Sequence, residues 1–429
     1  MMNRRHLLLG CCAAMGAGLF TGLGLHAAGP LRNPCRGTLP PDLAQHDLVL
    51  SALQGLDTNR LVDTHAHLLG TGDSGSGCSV HPRMHEWWHP GEVLRRKGIM
   101  NAACVPADAE SVDRAYVQRL LSQANEFPSG ARWWLFAFEQ AHDDAGQPRP
   151  EQTTFHVPDA YAAHIAAQHA QRFDWVASIH PYRQDALTRL DHALAGGARG
   201  VKWLPSAMNI DLRDRRCRAF YERLALSGRP LIVHCGEEKA APGAGRDELG
   251  NPLHVRHALA SGVTVVMAHC GSLGQAIDED KSSLPEVPAF DLFARLMDER
   301  GHAGRLLGDI SAVFQRNRSA HVWRTVITRQ DWHGRLLHGS DHPLPGVMPL
   351  FSLPRLQQAG LLAQAHIDVL HRVREHNPLL FDLVLKRSLR AGSAQLGTQI
   401  FEARALATTA PTATAATTVG AGATERARS

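Results

Sequence analysis

His65 and His67 stand two apart in the run Leu61-Val62-Asp63-Thr64-His65-Ala66-His67-Leu68. Side chains two apart on a strand leave the same face, so the pair forms half of a metal site. The spacing alone is weak, because 26 His in 429 residues give about 1.6 such pairs by chance. Context strengthens it. Pro230-Leu231-Ile232-Val233 leads into His234, the run 263–268 leads into His269, and the run 335–340 leads into Asp341. These are short apolar runs bounded by Gly or Pro, the pattern of buried strands. Ligand-type residues at the C-terminal ends of several such strands are how a (β/α)8 barrel assembles an active site.

Nine strand candidates fall at 61–67, 98–106, 133–138, 174–181, 199–204, 230–235, 263–269, 305–311 and 335–341, one too many for that barrel. The run 174–181 is taken as the third strand, because a helix at 186–194 separates it from 199–204. The run 133–138 is then accessory or part of an insertion. Helical periodicity covers 112–124, 160–172, 215–225, 290–300 and 367–376. The long segments 69–89, 140–157 and 237–252 follow strands, at the end where loops shape substrate access.

The stretches VDTHAH, GVKWLP, LIVHCGE, VMAHCG and HGSDHP, in that order over roughly 58–400, resemble the amidohydrolase superfamily. GVKWLP and GSDHP resemble its amidohydrolase-related branch, which mixes hydrolases with metal-dependent decarboxylases. The resemblance implies a single (β/α)8 TIM barrel over 58–402 and a divalent metal. Zinc is the first expectation, with manganese or iron as alternatives and one ion favoured over two. His65, His67, His234 and Asp341 are its implied ligands, and Asp341 also takes the proton from metal-bound water. Alone, Asp341 in Gly-Ser-Asp-His-Pro would read as a turn residue. His269 either binds a second ion or orients the bound water and the developing oxyanion. Lys202, opposite in facing to Val201 and Trp203, is either a carboxylated bridge between two ions or a partner for a substrate carboxylate. Arg183, Glu237 and His342 are further candidate substrate contacts. His338 faces away from Asp341 as a structural residue, and the His254/His257 pair reads as surface.

These assignments describe a hydrolase in which metal-activated water attacks an ester, lactone or amide-type bond of a small molecule. A decarboxylase acting on a small carboxylic acid is the second reading. A non-catalytic periplasmic binding protein is the third, and it leaves five ligand-type residues on strand ends unexplained.

Hydrophobic residues make up 44% of the chain and charged residues 20%, sufficient for a large core. A net charge of +4 without any basic block argues against a nucleic-acid partner. Asn3-Arg4-Arg5-His6-Leu7-Leu8 resembles a twin-arginine export signal, followed by a Gly/Ala-rich apolar stretch. Residues 1–28 are therefore read as a signal that engages the twin-arginine machinery and is cleaved to leave a periplasmic enzyme. An uncleaved membrane anchor and a lipoprotein at Cys11 are the second and third readings. Residues 29–57 form a lead-in, and 403–429, nearly all Ala, Thr, Gly and Pro, a disordered tail. A homo-oligomer is permitted. Beyond the signal the six Cys show no C-x-x-C spacing that would pair them, and Cys235 and Cys270 read as core thiols.

Overall fold

The computed structural model describes residues 31–408. Eight strands pair in chain order: β1 (Val62–His67), β2 (Arg132–Phe136), β3 (Phe173–Val176), β4 (Val201–Trp203), β5 (Leu231–His234), β6 (Val265–Ala268), β7 (Leu306–Asp309) and β8 (Leu336–Leu337). All the pairings are parallel. Parallel bridges Ala177–Val201 and Ala66–His342 join the two sheet segments, so the sheet closes on itself as a barrel. The crossovers carry α1 (Pro90–Ala102), α2 (Val112–Ala124), α3 (Asp159–Gln168), α4 (Ala186–Ala195), α5 (Cys217–Ser227), α6 (Arg256–Ala260), α7 (Ala289–Asp298) and α8 (Ala320–Thr328). After β8 come α9 (Ile367–His376) and α10 (Pro378–Ser388).

Strand alternation sorts the core. Trp134, Phe136, Val176, Ile232, Val266, Leu307 and Leu337 fill the barrel as one cluster. Their immediate neighbours, among them Leu135, Trp175, Val233 and Val265, pack outward under the helices. On this alternation Lys202 points inward between the outward Val201 and Trp203, and its Nζ sits 5.3 Å over the Phe136 ring. β1 breaks the rule. Val62 packs with the interior cluster but Ala66 with the helix-side one, and the register to β2 shifts between Asp63 and Ala66. That irregularity reverses the facing, as a bulge does, and turns His65 and His67 inward.

Two strand assignments are corrected. The run 98–106 is not a strand: it contains the end of α1, where Pro90 opens the helix and Ile99, Ala102 and Ala103 are buried at helical spacing. The run 133–138 is no insertion; its start lies in β2, hydrogen-bonded between β1 and β3. A first crossover holding both α1 and α2 is what pushes β2 so far along the chain. The tail also begins later than expected, since Arg404–Thr408 is helical and Ala405 packs in the barrel-interior cluster. The proposed signal and the rest of the tail lie outside the described residues. His338 is buried against Phe401, ring centroids 5.1 Å apart, as a structural residue. His254 is buried on Glu279, not on the surface, whereas His257 is exposed.

Two devices hold the rim above the barrel. Asp113, fully buried, accepts hydrogen bonds from Thr71 N, Ser74 Oγ and Ser76 Oγ at 2.6, 2.8 and 2.6 Å and fixes the loop after β1. A disulfide joins Cys35 in the lead-in to Cys104 just after α1, reinforced by reciprocal hydrogen bonds between Asn33 and Asn101.

Close packing also reaches the chemistry. A Cβ on Gly339 would lie 2.5 Å from the His65 Cβ, so Gly339→Ala must displace one of the two strands. It is expected to cost about 1–3 kcal/mol in unfolding free energy, measured by denaturant titration, and to lower bound metal. An unchanged midpoint and metal content would show that the backbone yields freely there.

Candidate metal centre

The inward-turned His65 and His67 meet Asp341, which arrives from the turn after β8. His65 Nε2 lies 3.3 Å from His67 Nε2. Asp341 Oδ1 lies 3.4 Å from the first and 3.2 Å from the second. A tetrahedral ion about 2.1 Å from each ligand spaces its ligands about 3.4 Å apart. The three atoms therefore already stand where one ion would hold them. Asp63 supports both strands: its Oδ1 accepts the N–H of His65 at 3.1 Å and that of Ser340 at 2.9 Å, and burial raises its carboxyl to about 7.

Hydrogen bonding assigns the histidine tautomers. His65 Nδ1 lies 2.9 Å from Asp309 Oδ2 and donates to it, which leaves Nε2 a bare lone pair aimed at the other ligands. Burial, with Lys202 nearby, pushes this imidazole down to about 4, so it is held neutral, the form that binds metal. Ser311 Oγ gives its proton to Asp309 Oδ1 and accepts from His269 Nδ1 at 2.8 Å, so His269 also turns a bare Nε2 to the cavity. Burial drives His269 far below its ordinary value. Toward the cavity, a neutral His269 of this tautomer accepts a hydrogen bond through Nε2 and does not donate one. It fits a role as water acceptor or ligand, and the oxyanion-stabilising role would need the imidazolium. Burial alone would raise Asp341, but the facing His269, His67 and His65 outweigh it and hold the carboxyl well below the usual range.

His269 and Asp341 share a further trait: both take left-handed backbone, with φ of 54° and 60°. Such conformations cost roughly 1–3 kcal/mol each for ordinary residues and gather at functional sites. They aim each side chain into a cavity of about 390 Å³ at the C-terminal end of the barrel, lined also by His65, His67, Lys202, His234 and Glu237. His234 joins through its ring, 5.2 Å from that of His269. Its Nδ1 faces Glu238 Oε2 at 3.2 Å, and its Nε2 lies 3.4 Å from the Glu237 carbonyl, so it stands outside the tight three-atom group.

Lys202 Nζ is buried with no hydrogen-bond partner among the described residues, and burial lowers its pKa. Glu237 pairs with Lys239 at 3.2 Å. Two expected substrate contacts are not brought to the cavity. Arg183 is held by Asp185 at 2.8 Å and lies 3.5 Å from Glu139. His342 is buried behind the site, its ring 5.7 Å from that of Tyr116. Asp309, Ser311, Glu238 and Arg318 were not singled out from sequence. Asp309 had a signal, since Leu306-Leu307-Gly308-Asp309 is one more apolar run ending in a ligand-type residue. Glu238 and Arg318 sit in loops without a pattern.

Residues 62–380 match the family described as amidohydrolase. The chain belongs to the amidohydrolase family. Its members are metal-dependent hydrolases and decarboxylases, and the His/Asp group above is this amidohydrolase's candidate metal site. No curated protein matches the chain. Among solved structures it is similar to an uncharacterised TIM-barrel protein from Bordetella bronchiseptica, at 16% identity and a TM-score of 0.41, covering 70% of this chain and 99% of that one. A probable 2-pyrone-4,6-dicarboxylic acid hydrolase from Acinetobacter baumannii matches at 14% identity and a TM-score of 0.41, covering 76% and 99%. A 5-carboxyvanillate decarboxylase from Novosphingobium aromaticivorans, solved with manganese, matches at 13% and 0.39, covering 75% and 93%.

Because Asp309 orients His65, Asp309→Asn should weaken metal binding by about 10–100-fold while the far-ultraviolet circular dichroism stays native. Unaltered affinity in a chelator competition would remove Asp309 from the site.

Proposed function

We propose that this amidohydrolase is a hydrolase that cleaves an ester, lactone or amide-type bond in a small molecule. The observation that carries the reading is the convergence of His65 Nε2, His67 Nε2 and Asp341 Oδ1 at 3.2–3.4 Å on a cavity deep enough for a small substrate. His65, His67 and Asp341 would hold a divalent ion there, zinc first and manganese or iron next, which would supply Lewis-acid polarisation and a more acidic water. The chain does the rest. Asp341 would take up the proton of the attacking water on its carboxylate and return it to the leaving group. His269 holds the water through its bare Nε2, and the Asp309–Ser311 pair keeps that nitrogen turned to the cavity. His234, with Glu238 behind it, is the fourth proposed ligand.

A decarboxylase is the second reading, favoured by one feature. Lys202 Nζ is buried, has no hydrogen-bond partner among the described residues and is directed into the barrel, where a substrate carboxylate would satisfy it. Carboxylated, the same lysine would instead join His269 as a further ligand of a two-ion centre.

Metal analysis of the purified protein, followed by chelation and restoration with zinc or manganese, tests the shared part of both readings: activity should vanish and return. Hydrolysis without carbon dioxide release supports the first reading, and carbon dioxide without water consumption overturns it. His65→Asn should lose the ion, whereas His269→Asn should keep it with kcat lower by about 10²–10³. Equal loss of metal in both would make His269 a ligand and the centre binuclear.

We also propose export through the twin-arginine pathway. Arg4-Arg5 before an apolar stretch supports it, and so does the Cys35–Cys104 disulfide, a bond that persists in oxidising compartments. Replacing both arginines by lysine should leave precursor in the cytoplasm; normal delivery would show that another route reads the signal.

A further inference from the structure

The chain has eight tryptophans, and all but two are buried. The exceptions, Trp87 and Trp88, lie side by side on the loop that leads into α1, 81% and 58% exposed, with ring centroids 5.8 Å apart. Their segment is tied down. Met84 is fully buried, the N–H of Arg83 donates to His81 Nδ1 at 3.1 Å, and Arg96 Nε of α1 donates to the Met84 carbonyl at 3.1 Å. Two large aromatic rings are thus held in water by a fixed scaffold, and exposed apolar patches of this kind mark interaction surfaces.

The helix that follows continues the patch. The outward residues of α1 are Pro90, Gly91, Leu94, Lys97 and Gly98, the row that a surface helix ordinarily fills with polar and charged side chains. Here the row contains no acid, and Leu94 at its centre is 67% exposed. A Cβ on Gly91 or Gly98 would meet nothing within 4 Å, so both flanks of Leu94 are bare. The acids of this corner are engaged: Glu86 faces His89 at 3.4 Å and Glu92 faces Arg95 at 3.3 Å. Arg83, Arg96 and Lys97 have no ion pair among the described residues.

Exposed indoles bordered by uncompensated cations fit a lipid surface. Trp settles at headgroup level, with its ring in the apolar boundary and its N–H in the wet layer, while Lys and Arg meet the phosphates of anionic lipids. A second copy of the chain fits less well, because a two-fold interface would set these cations against themselves. We propose that this corner of the rim docks on an anionic phospholipid bilayer, with Trp87, Trp88 and Leu94 at headgroup level and Arg83, Arg96 and Lys97 on lipid phosphates. Leu94 and Gly98 also line the cavity, so docking sets the cavity mouth against the bilayer. The surface needs no metal and does not depend on the reaction proposed above.

The test mixes the full chain with phosphatidylglycerol vesicles and, separately, phosphatidylcholine vesicles, and reads binding by co-sedimentation. Binding should be about tenfold or more tighter on the anionic vesicles and should weaken as salt rises. Trp87→Ser with Trp88→Ser, and separately Arg83→Gln with Lys97→Gln, should each remove most of it. Brominated acyl chains should quench the fluorescence of the unsubstituted protein, since the other tryptophans are shielded inside the fold; this measurement decides the matter if a variant fails to fold. The double tryptophan variant should lose that quenching. No binding to anionic vesicles, binding without quenching, or binding that survives both double substitutions overturns the proposal. A dimer that the tryptophan substitutions dissociate, with no vesicle binding, would overturn it too and give the surface to a second copy.

Discussion

One hydrogen bond organises the centre. His65 Nδ1 donates to Asp309 Oδ2 across the barrel interior, and both groups are buried. That contact does three things at once. It selects the His65 tautomer, so the opposite nitrogen is a lone pair turned toward His67 and Asp341. It keeps Asp309 charged: burial alone would raise this carboxyl, but the facing His65 and His269 hold it below its usual range. Through Ser311 it also sets His269, whose backbone N–H donates to the same carboxylate at 3.0 Å. A metal ligand whose other ring nitrogen is tied in this way has one orientation and greater basicity.

The barrel makes such a contact possible because closure brings β1 beside β8 and only one strand from β7. Asp63 reinforces that seam by accepting backbone N–H groups from both sides, and Gly339 allows it by having no side chain where His65 must pass. Below the site, Phe136 closes the floor, its ring 4.6 Å from that of His65. The cavity opens above the ligands, at the rim.

That rim is built from long segments, and its stiffness comes from polar contacts more than from a core. Arg374 is buried and donates to the carbonyls of Pro345, Val347 and Met348 at 2.6, 2.7 and 3.0 Å, which holds the cavity wall after β8. Arg95 of α1 reaches the carbonyls of Lys239 and Ala240, so the first and fifth strand loops are braced together over the opening. An apolar cavity with a few fixed charges results, and the fixed charges are what discriminate between ligands.

The ligand-type residues were legible in the sequence because each closes a short apolar run, and period-two alternation correctly turned Lys202 inward. His65 and His67 share a face as their spacing requires, but that this face is the inner one depends on the irregularity at Asp63–Ala66, which only pairing with β2 reveals. The surplus strand at 98–106 was unreadable locally, since a few apolar residues fit a buried strand and a helix end equally; packing of Ile99 and Ala102 decided it. Arg183 and His342 looked like site residues by position, yet the guanidinium pairs with Asp185 and the imidazole packs against the Tyr116 ring. The tautomers of His65 and His269 and the pairing of Asp341 and Glu238 with histidines arise from residues far apart in the chain. Composition and spacing determine which chemistry is possible here, because ligand type and strand period are local properties. Which nitrogen faces the candidate metal site was settled only by the closed barrel, because hydrogen bonding and desolvation depend on what lies across space.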